Sequence, residues 1–414
     1  MSATSAILVS TRLSTNSPIL LSNPCFSISS SSLFIRKALS SSFFSSISAS
    51  ILGSRISFSN RGALRGHMVV LKQEEVPECL RYLPRNYNFE TGKVLRTIRR
   101  LGAKRVTLQF PDGLLRYSFV IMDVIEKYTG AECILLNDVV YGGCCIDDES
   151  IASDLLVHYG HSCLVPVGEM STKVLYIFVD IRIDIDHAAE MIRRNFQGKI
   201  GVIGTIQFNS SINRLKRVLD EERGGVECTL PQIRPLSSGE VLGCTAPKIE
   251  GVSAVISIGD GRFHLEGAMI RNPHLRFYKY CPFSRRMTQE SYDHSTMLSD
   301  RKSEIRKAFS GRSFGVILGS LGRQGNRSIL RSVVDRLKEY DVYLIMLDEI
   351  SPKKLERYNF IDSFVQISCP RLSIDWGKLF KKPLLTPFEV FYSGGEYLMD
   401  YYSREGSGEW KNYR

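Results

Sequence analysis

An apolar strand followed by a turn and an amphipathic helix recurs three times, and this recurrence limits the fold more than any other feature. The three opening strands read RVTLQF at 105–110, KIGVIGTIQF at 199–208 and SFGVILG at 313–319. Alternating strands and helices are typical of α/β proteins with parallel sheets. Spacings of roughly a hundred residues are too long for solenoid repeats. We therefore predict three small α/β domains with mostly parallel sheets, arranged around a central site.

The predicted domains cover residues 67–195, 196–300 and 301–395, between an N-terminal extension, 1–66, and a C-terminal tail, 396–414. The extension is rich in serine, contains arginine and lacks Asp and Glu. This composition is typical of organelle transit peptides, although an unstructured extension without a targeting role has the same composition. We predict that the extension is disordered, and it contributes nothing to the fold prediction.

Local patterns predict the elements of the first domain. A strand is expected at 133–138, a helix at 149–160, and two further strands at 163–167 and 174–181. Short apolar runs of this kind are compatible with either a buried strand or a buried helix.

The charge of the chain does not require a nucleic-acid partner. The formal net charge is +11, but most of that excess precedes Glu74, the first acidic residue. The small remaining excess is a weak argument for binding a polyanion, and no basic and aromatic surface pattern accompanies it. No apolar run is long enough to predict a membrane-spanning helix.

Three cysteines stand one in each predicted unit, at or just after a strand: Cys144, Cys244 and Cys369. Ligands of open α/β sheets gather beyond the carboxyl ends of the strands, so three such ends could bring three thiolates together. The alternative is that all ten cysteines are core residues, because free cysteine is often buried. No Cys-x-x-Cys ladder supports a zinc ribbon or a ferredoxin-type cluster. Packing roles suit Cys79, Cys133, Cys163, Cys228 and Cys281.

The sequence YGGCC contains a second cysteine, Cys145, beside Cys144. Neighbouring side chains of an extended segment point in opposite directions, so one of the pair is expected to reach a shared centre. Three thiolates on a cubane cluster leave one iron open, and an open position can bind a substrate.

Several other polar residues follow predicted strands. The turn GDGRFH places Arg262 and His264 after a buried strand, where an arginine could bind a carboxylate or the turn could simply cap a helix. The loop LGSLGRQGN lacks the Gly-Lys-Ser/Thr of a phosphate-binding loop. Histidines such as His158 and His161 in HYGHSC are more often structural than catalytic.

Taken together, several long motifs resemble one family, the 2-(3-amino-3-carboxypropyl)histidine synthases of diphthamide biosynthesis, and within it the subunit 1 branch. The resemblance covers roughly residues 74–402. The motifs are YGGCCIDD, DLLVHYGHSCLVP, VLYIFVDIRID, GTIQF, PLSSGEVLGCTAP, GDGRFHLE, LGRQGN, CPRLSIDWG and PLLTPFE. The family more usually has YGACC where this chain has YGGCC.

The resemblance implies a [4Fe–4S] cluster bound by Cys144, Cys244 and Cys369, with Cys145 as the less favoured alternative to Cys144. It also implies that S-adenosylmethionine binds at the open iron and that the reduced cluster donates one electron to it. The resulting 3-amino-3-carboxypropyl radical would add to a histidine of translation elongation factor 2. Expected positioning residues for S-adenosylmethionine are Gln109, Asp112, Arg262, His264, Arg323, Gln324 and Arg371.

The resemblance implies partners as well. A related second subunit would complete a heterodimer, and a small iron-binding protein would deliver electrons. Because the substrate is cytosolic, we expect a cytoplasmic protein, although the extension makes organelle targeting an alternative. Neither a nucleic acid nor a membrane is an expected partner.

Two other functions remain open from the sequence. The chain could be a non-catalytic iron–sulfur scaffold whose partner subunit carries out the reaction. It could also be a dehydratase similar to quinolinate synthase, in which three α/β units surround a cluster bound by three cysteines and the open iron acts as a Lewis acid.

Overall fold

The computed structural model describes residues 8–9, 78–136, 142–149, 152–221 and 225–413. The strands are β1 Leu8–Val9, β2 Tyr87–Asn88, β3 Arg105–Gln109, β4 Glu132–Leu136, β5 Leu155–Tyr159, β6 Val174–Ile177, β7 Asp180–Ile181, β8 Gly198–Gly204, β9 Val226–Thr229, β10 Ala254–Ile258, β11 Phe277–Cys281, β12 Arg286–Glu290, β13 Ser313–Gly319, β14 Asp341–Leu347, β15 Ser363–Ile367 and β16 Leu384–Leu385. The helices are α1 Thr91–Leu101, α2 Asp112–Leu115, α3 Ser118–Thr129, α4 Ile185–Asn195, α5 Asn209–Glu221, α6 Phe263–Arg271, α7 His294–Ser310, α8 Arg327–Arg336, α9 Pro352–Leu355, α10 Pro370–Trp376 and α11 Pro387–Phe391. Short 3-10 helices cover Glu78–Tyr82, Val167–Glu169, Ile206–Phe208 and Gly377–Leu379.

Three mixed or parallel sheets each contain one of the predicted opening strands. The first has the order β4-β3-β5-β6, and all of its pairings are parallel. The second has the order β12-β11-β10-β8-β9, and only the β11–β12 pair is antiparallel. The third has the order β1-β14-β13-β15-β16, with β1 antiparallel at its edge. The predicted fold class, α/β with mostly parallel sheets, is confirmed.

Each sheet has a strand that is buried along its whole length. These strands are β5, β10 and β15, and each lies between two hydrogen-bonded neighbours. Burial on both faces explains their largely apolar sequences, which is the usual pattern for parallel strands covered by helices. Each sheet is therefore able to support loops at the carboxyl ends of its strands.

Side-chain caps fix where several helices begin. Asp293 accepts the Thr296 N–H at 3.0 Å before α7, and Asn326 accepts two backbone N–H groups before α8. Thr386 and Glu389 form a capping box at the start of α11. Such caps satisfy backbone donors that the first helical turn leaves unpaired.

Two of the local predictions for the first domain were wrong. Residues 155–159 form β5 rather than part of a helix, and residues 163–167 form no strand. The run Leu155–Tyr159 is mostly apolar because it lies buried between β3 and β6, and a fully buried strand lacks the alternation that distinguishes it from a helix.

The predicted extension, 1–66, lies outside the described residues except for Leu8–Val9. The domain boundaries at residues 195 and 300 remain predictions. In the described part of the chain, no helix has both the length and the apolar character needed to cross a bilayer.

Candidate metal centre

The three predicted cysteines lie on loops that belong to the three different sheets. Cys144 follows β4 in the turn that begins at Gly142, and we call residues 142–149 the Cys144 turn. Cys244 lies in a tight turn in which Leu242 N donates to the Thr245 carbonyl at 2.8 Å; residues 242–245 are the Cys244 turn. Cys369 follows β15 and precedes the first residue of α10.

The thiols of these residues lie within electrostatic reach of one another. The pKa of Cys144 is raised by a hydrogen bond with Cys145, by burial, and by the charges that Cys145, Cys369 and Cys244 would carry. Burial and the neighbouring Cys369 raise the pKa of Cys244 to about 12. The thiol groups on loops of the three sheets therefore lie close together. In the metal-free chain their raised pKa values keep them protonated at neutral pH.

A cationic cluster fits this donor set. Bringing several thiolates together without a counter-charge is unfavourable, and iron supplies that charge because a coordinating thiol is deprotonated by the metal. Burial raises the pKa of Cys369 overall, while backbone N–H groups of Arg371 and Leu372 act in the opposite direction and would stabilise an iron-bound thiolate. Within the described ranges no three His, Cys, Asp or Glu side chains have the spacing of a site for a single ion. Thiolates bound to separate irons of a cluster stand further apart than the ligands of one ion.

Cys145 has a different environment from Cys144. Its Sγ lies 3.8 Å from Cys144 Sγ and accepts the Gln324 Nε2–H at 2.9 Å, and the residue is buried. Gln324 in turn accepts a hydrogen bond from Ser368 Oγ, beside Cys369. Gln324 thus connects the Cys144 turn with the loop that carries Cys369.

Two predicted positioning residues hold the Cys144 turn through other contacts. Arg323 donates to both carboxylate oxygens of Asp148, at 2.8 and 2.7 Å. Gln109 donates from Nε2 to the Asp147 carbonyl at 3.0 Å and accepts from His158 Nδ1 at 2.9 Å.

Arg371 and His264 lie beside the Cys244 turn. The three guanidinium nitrogens of Arg371 donate to Asp375, to Glu266 and to the Phe263 carbonyl, and the residue is buried. His264 Nδ1 accepts the Gly243 N–H at 3.1 Å. The structure therefore brings Gln109, His264, Arg323, Gln324 and Arg371 to the cysteine-bearing loops.

The two remaining predicted residues are at the surface. Asp112 is exposed in the first turn of α2. Arg262 pairs with Glu266 and Glu290 and donates to the Ser291 carbonyl at 3.0 Å, which occupies its guanidinium in surface contacts.

Sequence reasoning missed Tyr402, which is buried near all of these thiols. Its N–H donates to Thr245 Oγ1 at 3.0 Å. Burial and then the charges of Cys144, Cys244, Cys145 and Cys369 raise its pKa well above the ordinary value. The only sequence signal was its position at the end of the region of resemblance, and no local motif marks it.

Comparisons with known proteins agree with this arrangement. Residues 110–402 match the family described as "Putative diphthamide synthesis protein". The chain is 46% identical over 365 residues to 2-(3-amino-3-carboxypropyl)histidine synthase subunit 1 of Yarrowia lipolytica. The alignment covers 83% of this chain and 83% of that protein. It is 45% identical to the protein of the same name from Saccharomyces cerevisiae, over 82% of this chain and 84% of that one.

A solved structure supports the same relationship. The crystal structure of Dph2 from Pyrococcus horikoshii with a 4Fe-4S cluster superimposes with a TM-score of 0.63 at 26% identity. The match covers 76% of this chain and 93% of that chain.

Proposed function

Because the chain belongs to the diphthamide synthesis protein family, we propose that it transfers the 3-amino-3-carboxypropyl group of S-adenosylmethionine to a histidine of elongation factor 2. Relatives that share most of its length are named as synthases, so the chain is an enzyme, and their name, subunit 1, places it in a multi-subunit assembly. The finer proposal is that a [4Fe–4S] cluster drives the transfer by a radical route.

The observation that supports this proposal is the convergence of three cysteines from three sheets. Cys144, Cys244 and Cys369 would hold the cluster and leave one iron without a protein thiolate. When bound and reduced, the cluster held by these residues would supply one electron for cleavage of the bond between the sulfonium and Cγ of the methionine part, with methylthioadenosine as the second product.

The chain's own residues would orient the reactants and exclude water. Tyr402 and Leu164 are buried side chains of a hydrophobic cluster, and Cys144 and Cys244 pack against it. Such a setting protects a reactive carbon centre from solvent. Gln324 and Arg323 would keep the Cys144 turn in place through their contacts with Cys145 and Asp148.

We also propose the partners that the resemblance implies. These are a related second subunit, a small iron-binding protein that delivers electrons, and elongation factor 2 as the substrate. The cytoplasm is the proposed location because that substrate is cytosolic.

Single cysteine variants test the proposal. Cys144→Ala, Cys244→Ala and Cys369→Ala should each lose bound iron, sulfide and the visible absorbance of the cluster after anaerobic reconstitution. Cys228→Ala is a matched control, since Cys228 is buried in the core of the second sheet, and it should retain the cluster. Cys145→Ala should also retain it; loss of the cluster in Cys145→Ala together with its retention in Cys144→Ala would reassign the ligand to Cys145.

Product analysis separates this function from its rivals. The cluster-loaded chain, assembled with its partner subunit, dithionite and S-adenosylmethionine, should release methylthioadenosine and modify elongation factor 2. A loaded cluster without methylthioadenosine would favour a dehydratase. Unimpaired transfer by Cys369→Ala in this subunit alone would make the chain a scaffold.

A further inference from the structure

The two cysteines of the Cys144 turn present their sulfurs on the same side of the chain. Cys145 N donates to the Gly142 carbonyl at 3.0 Å, which closes a β-turn over residues 142–145. A Cβ added to Gly142 would lie 3.7 Å from Cys145 Sγ and 3.9 Å from Cys144 Sγ. The expectation that the two side chains point apart applied to an extended segment, whereas the turn brings the two sulfurs to a separation of 3.8 Å.

Cys145 is held by the loop that follows β13. Its side chain is buried, and its Sγ accepts the Gln324 Nε2–H at 2.9 Å. A Cβ on Gly322 would lie 2.5 Å from the Cys145 carbonyl carbon and oxygen, so the two backbone segments are in close contact. Both the sulfur and the backbone of Cys145 are therefore positioned by residues of the third sheet's loop.

The contacts of Gln324 orient its amide group. Ser368 Oγ donates to Gln324 Oε1, so the oxygen faces the loop that carries Cys369. The two hydrogens on Nε2 face the Cys144 turn, where Cys145 Sγ lies at 2.9 Å and Cys144 Sγ at 3.8 Å. The sulfur of Cys145 accepts a hydrogen bond from the amide, and its own hydrogen is available for another acceptor.

Cys144 Sγ is an acceptor within reach of that hydrogen. In the metal-free chain either sulfur can donate to the other. A thiol that coordinates a metal is deprotonated, so Cys144 bound to iron could only accept. The hydrogen bonds would then run in one direction, from Ser368 to Gln324, from Gln324 to Cys145 and from Cys145 to Cys144.

We propose that Cys145 acts on the cluster through Cys144, because its S–H donates to the iron-bound sulfur and thereby raises the reduction potential. Hydrogen bonds to the sulfurs are among the factors that set the potential of an iron–sulfur cluster. Reduction adds negative charge to the cluster, and a hydrogen-bond donor stabilises the more negative form. The inference rests on the proposed function, because it requires a cluster bound through Cys144.

A role in packing alone does not account for these contacts. Cys228, in the core of the second sheet, has the Thr229 carbonyl 4.0 Å from its Sγ. Cys145 has an amide donor at 2.9 Å, although burying the polar side chain of Gln324 is unfavourable unless its hydrogen bonds are made. The buried amide and the second thiol therefore form one polar unit beside the expected iron ligand.

Anaerobic redox titration of the cluster-loaded full chain, followed by EPR, tests the proposal. Cys145→Ala should keep the cluster and make its reduction about tenfold less favourable, which is a fall of about 59 mV for one electron. Cys145→Ser retains a donor, so its potential should equal or exceed that of the wild type. Cys228→Ala removes a buried thiol elsewhere and should leave the potential unchanged. Equal shifts in Cys145→Ala and Cys145→Ser, no shift in either, or a Cys145→Ala chain that binds no cluster would overturn the proposal.

Variants of two buried glutamines separate hydrogen bonding to sulfur from displacement of a loop. Gln324→Leu should also lower the potential, and Gln324→Leu combined with Cys145→Ala should lower it no further than Cys145→Ala alone, since Gln324 acts through Cys145. Gln366→Leu is the matched control, because Gln366 Nε2 donates to the Cys369 carbonyl at 2.8 Å instead of to a sulfur, and it should not shift the potential. Additive shifts in the double variant, or an equal shift in Gln366→Leu, would overturn the proposal.

The donated hydrogen provides a second, spectroscopic readout. Pulsed EPR of the reduced cluster before and after transfer to heavy water should show an exchangeable hydrogen that is lost in Cys145→Ala and kept in Cys145→Ser. Identical exchangeable hydrogens in the wild type and Cys145→Ala would overturn the inference while leaving the proposed function intact. A wild-type chain that binds no cluster, or a cluster that survives Cys144→Ala, would instead contradict the ligand set on which the proposed function depends.

Discussion

Three consecutive residues of the loop after β13 each contact the Cys144 turn, although nearly 180 residues separate them along the chain. Arg323 binds Asp148, Gln324 binds Cys145, and Gly322 approaches the Cys145 backbone closely. The sequence suggested Arg323 and Gln324 as ligand-binding residues, and their observed contacts are with the protein itself. Long-range pairs of this kind have no local sequence signal, which is why their partners were not predictable.

We expect Arg323→Gln to lower the unfolding free energy of the cluster-free chain by about 2 kcal/mol at pH 7. Asp148 is buried and would lose a bidentate partner. Equilibrium denaturation of the variant measures the loss. Arg327→Gln is the control, because Arg327 is exposed and has no ion pair among the described residues, and it should change stability by less than about 0.5 kcal/mol.

The same pair predicts a dependence on pH. Burial opposes the charge of Asp148, but hydrogen bonds from Arg323 and the Ser171 N–H lower its pKa overall. The pKa of this carboxyl is therefore lower in the folded chain than in the unfolded chain, where it is about 3.9. Its contribution to stability is complete above the unfolded-state pKa and is lost as the pH falls through the folded-state pKa. The difference between wild type and Arg323→Gln should therefore shrink below about pH 4. A constant difference down to pH 2 would contradict this origin.

Gly322→Ala should impair both stability and cluster loading. Gly322 has φ of +52°, and a Cβ would lie 2.5 Å from the carbonyl carbon and oxygen of Cys145. Gly102→Ala is a matched control, with φ of +60° and no atom within 4 Å of the added carbon. The difference between the two variants isolates the clash, which we expect to cost about 1–3 kcal/mol beyond the backbone strain. If Gly322→Ala and Gly102→Ala lost the same stability, and Gly322→Ala kept its full iron content, the predicted clash with the Cys145 backbone would be contradicted.

At the scale of elements, the sequence predicted the strands that open each unit, but it misassigned Leu155–Tyr159 and extended the second opening strand over Ile206–Phe208, which form a 3-10 helix. The opening strands β3, β8 and β13 are each followed by a helix or helical turn, and that alternation of patterns is visible in a single sequence. The strand β5 is buried on both faces, so its apolar run shows no period. Helix α7 shows a further limit, since the buried ion pair between its Arg301 and Glu389 joins residues 88 positions apart and has no local sequence signal.

We expect Arg301→Met in α7 to destabilise the protein by about 3–5 kcal/mol. Arg301 is 3% exposed and donates to both oxygens of Glu389, at 2.6 and 2.7 Å, and to the Ser373 and Leu384 carbonyls. Its removal leaves a buried carboxylate without its cation. Thermal and chemical denaturation would measure the effect.

Two further variants define this effect. Lys307→Met in the same helix removes a pair with Glu304 whose cation is 63% exposed, and it should cost less than about 0.5 kcal/mol. Arg301→Met combined with Glu389→Gln should recover part of the loss, because no buried charge then lacks a partner. An Arg301→Met variant as stable as Lys307→Met would show that the pair does not anchor α7.

At the scale of the whole molecule, the C-terminal segment joins loops of the second sheet to helices α8 and α11. Ala246 N donates to the Met399 carbonyl at 2.8 Å and Arg404 N to the Arg234 carbonyl at 2.8 Å, while Ser332 donates to Glu409 at 2.7 Å. Trp410 packs against Phe388, with ring centroids 5.0 Å apart. The sequence predicted a tail at 396–414, most of which, from Ser403 onward, lies beyond the region of resemblance. Its packing depends on residues far away in the chain.

Cluster removal should loosen the cysteine-bearing loops and leave the sheets intact. A group that binds only the folded state stabilises it, and the loops that hold the group open at lower cost than buried strands. Hydrogen exchange of the cluster-loaded and cluster-free chains should therefore differ at the Cys144 turn, the Cys244 turn and residues 368–372. Exchange should be unchanged in β5, β10 and β15, whose side chains are buried throughout. Because all three loops would hold one cluster, Cys244→Ala should abolish the difference at all three together, whereas Cys228→Ala should preserve it. Loss confined to the Cys244 turn would mean that the three sheets do not share a single metal centre.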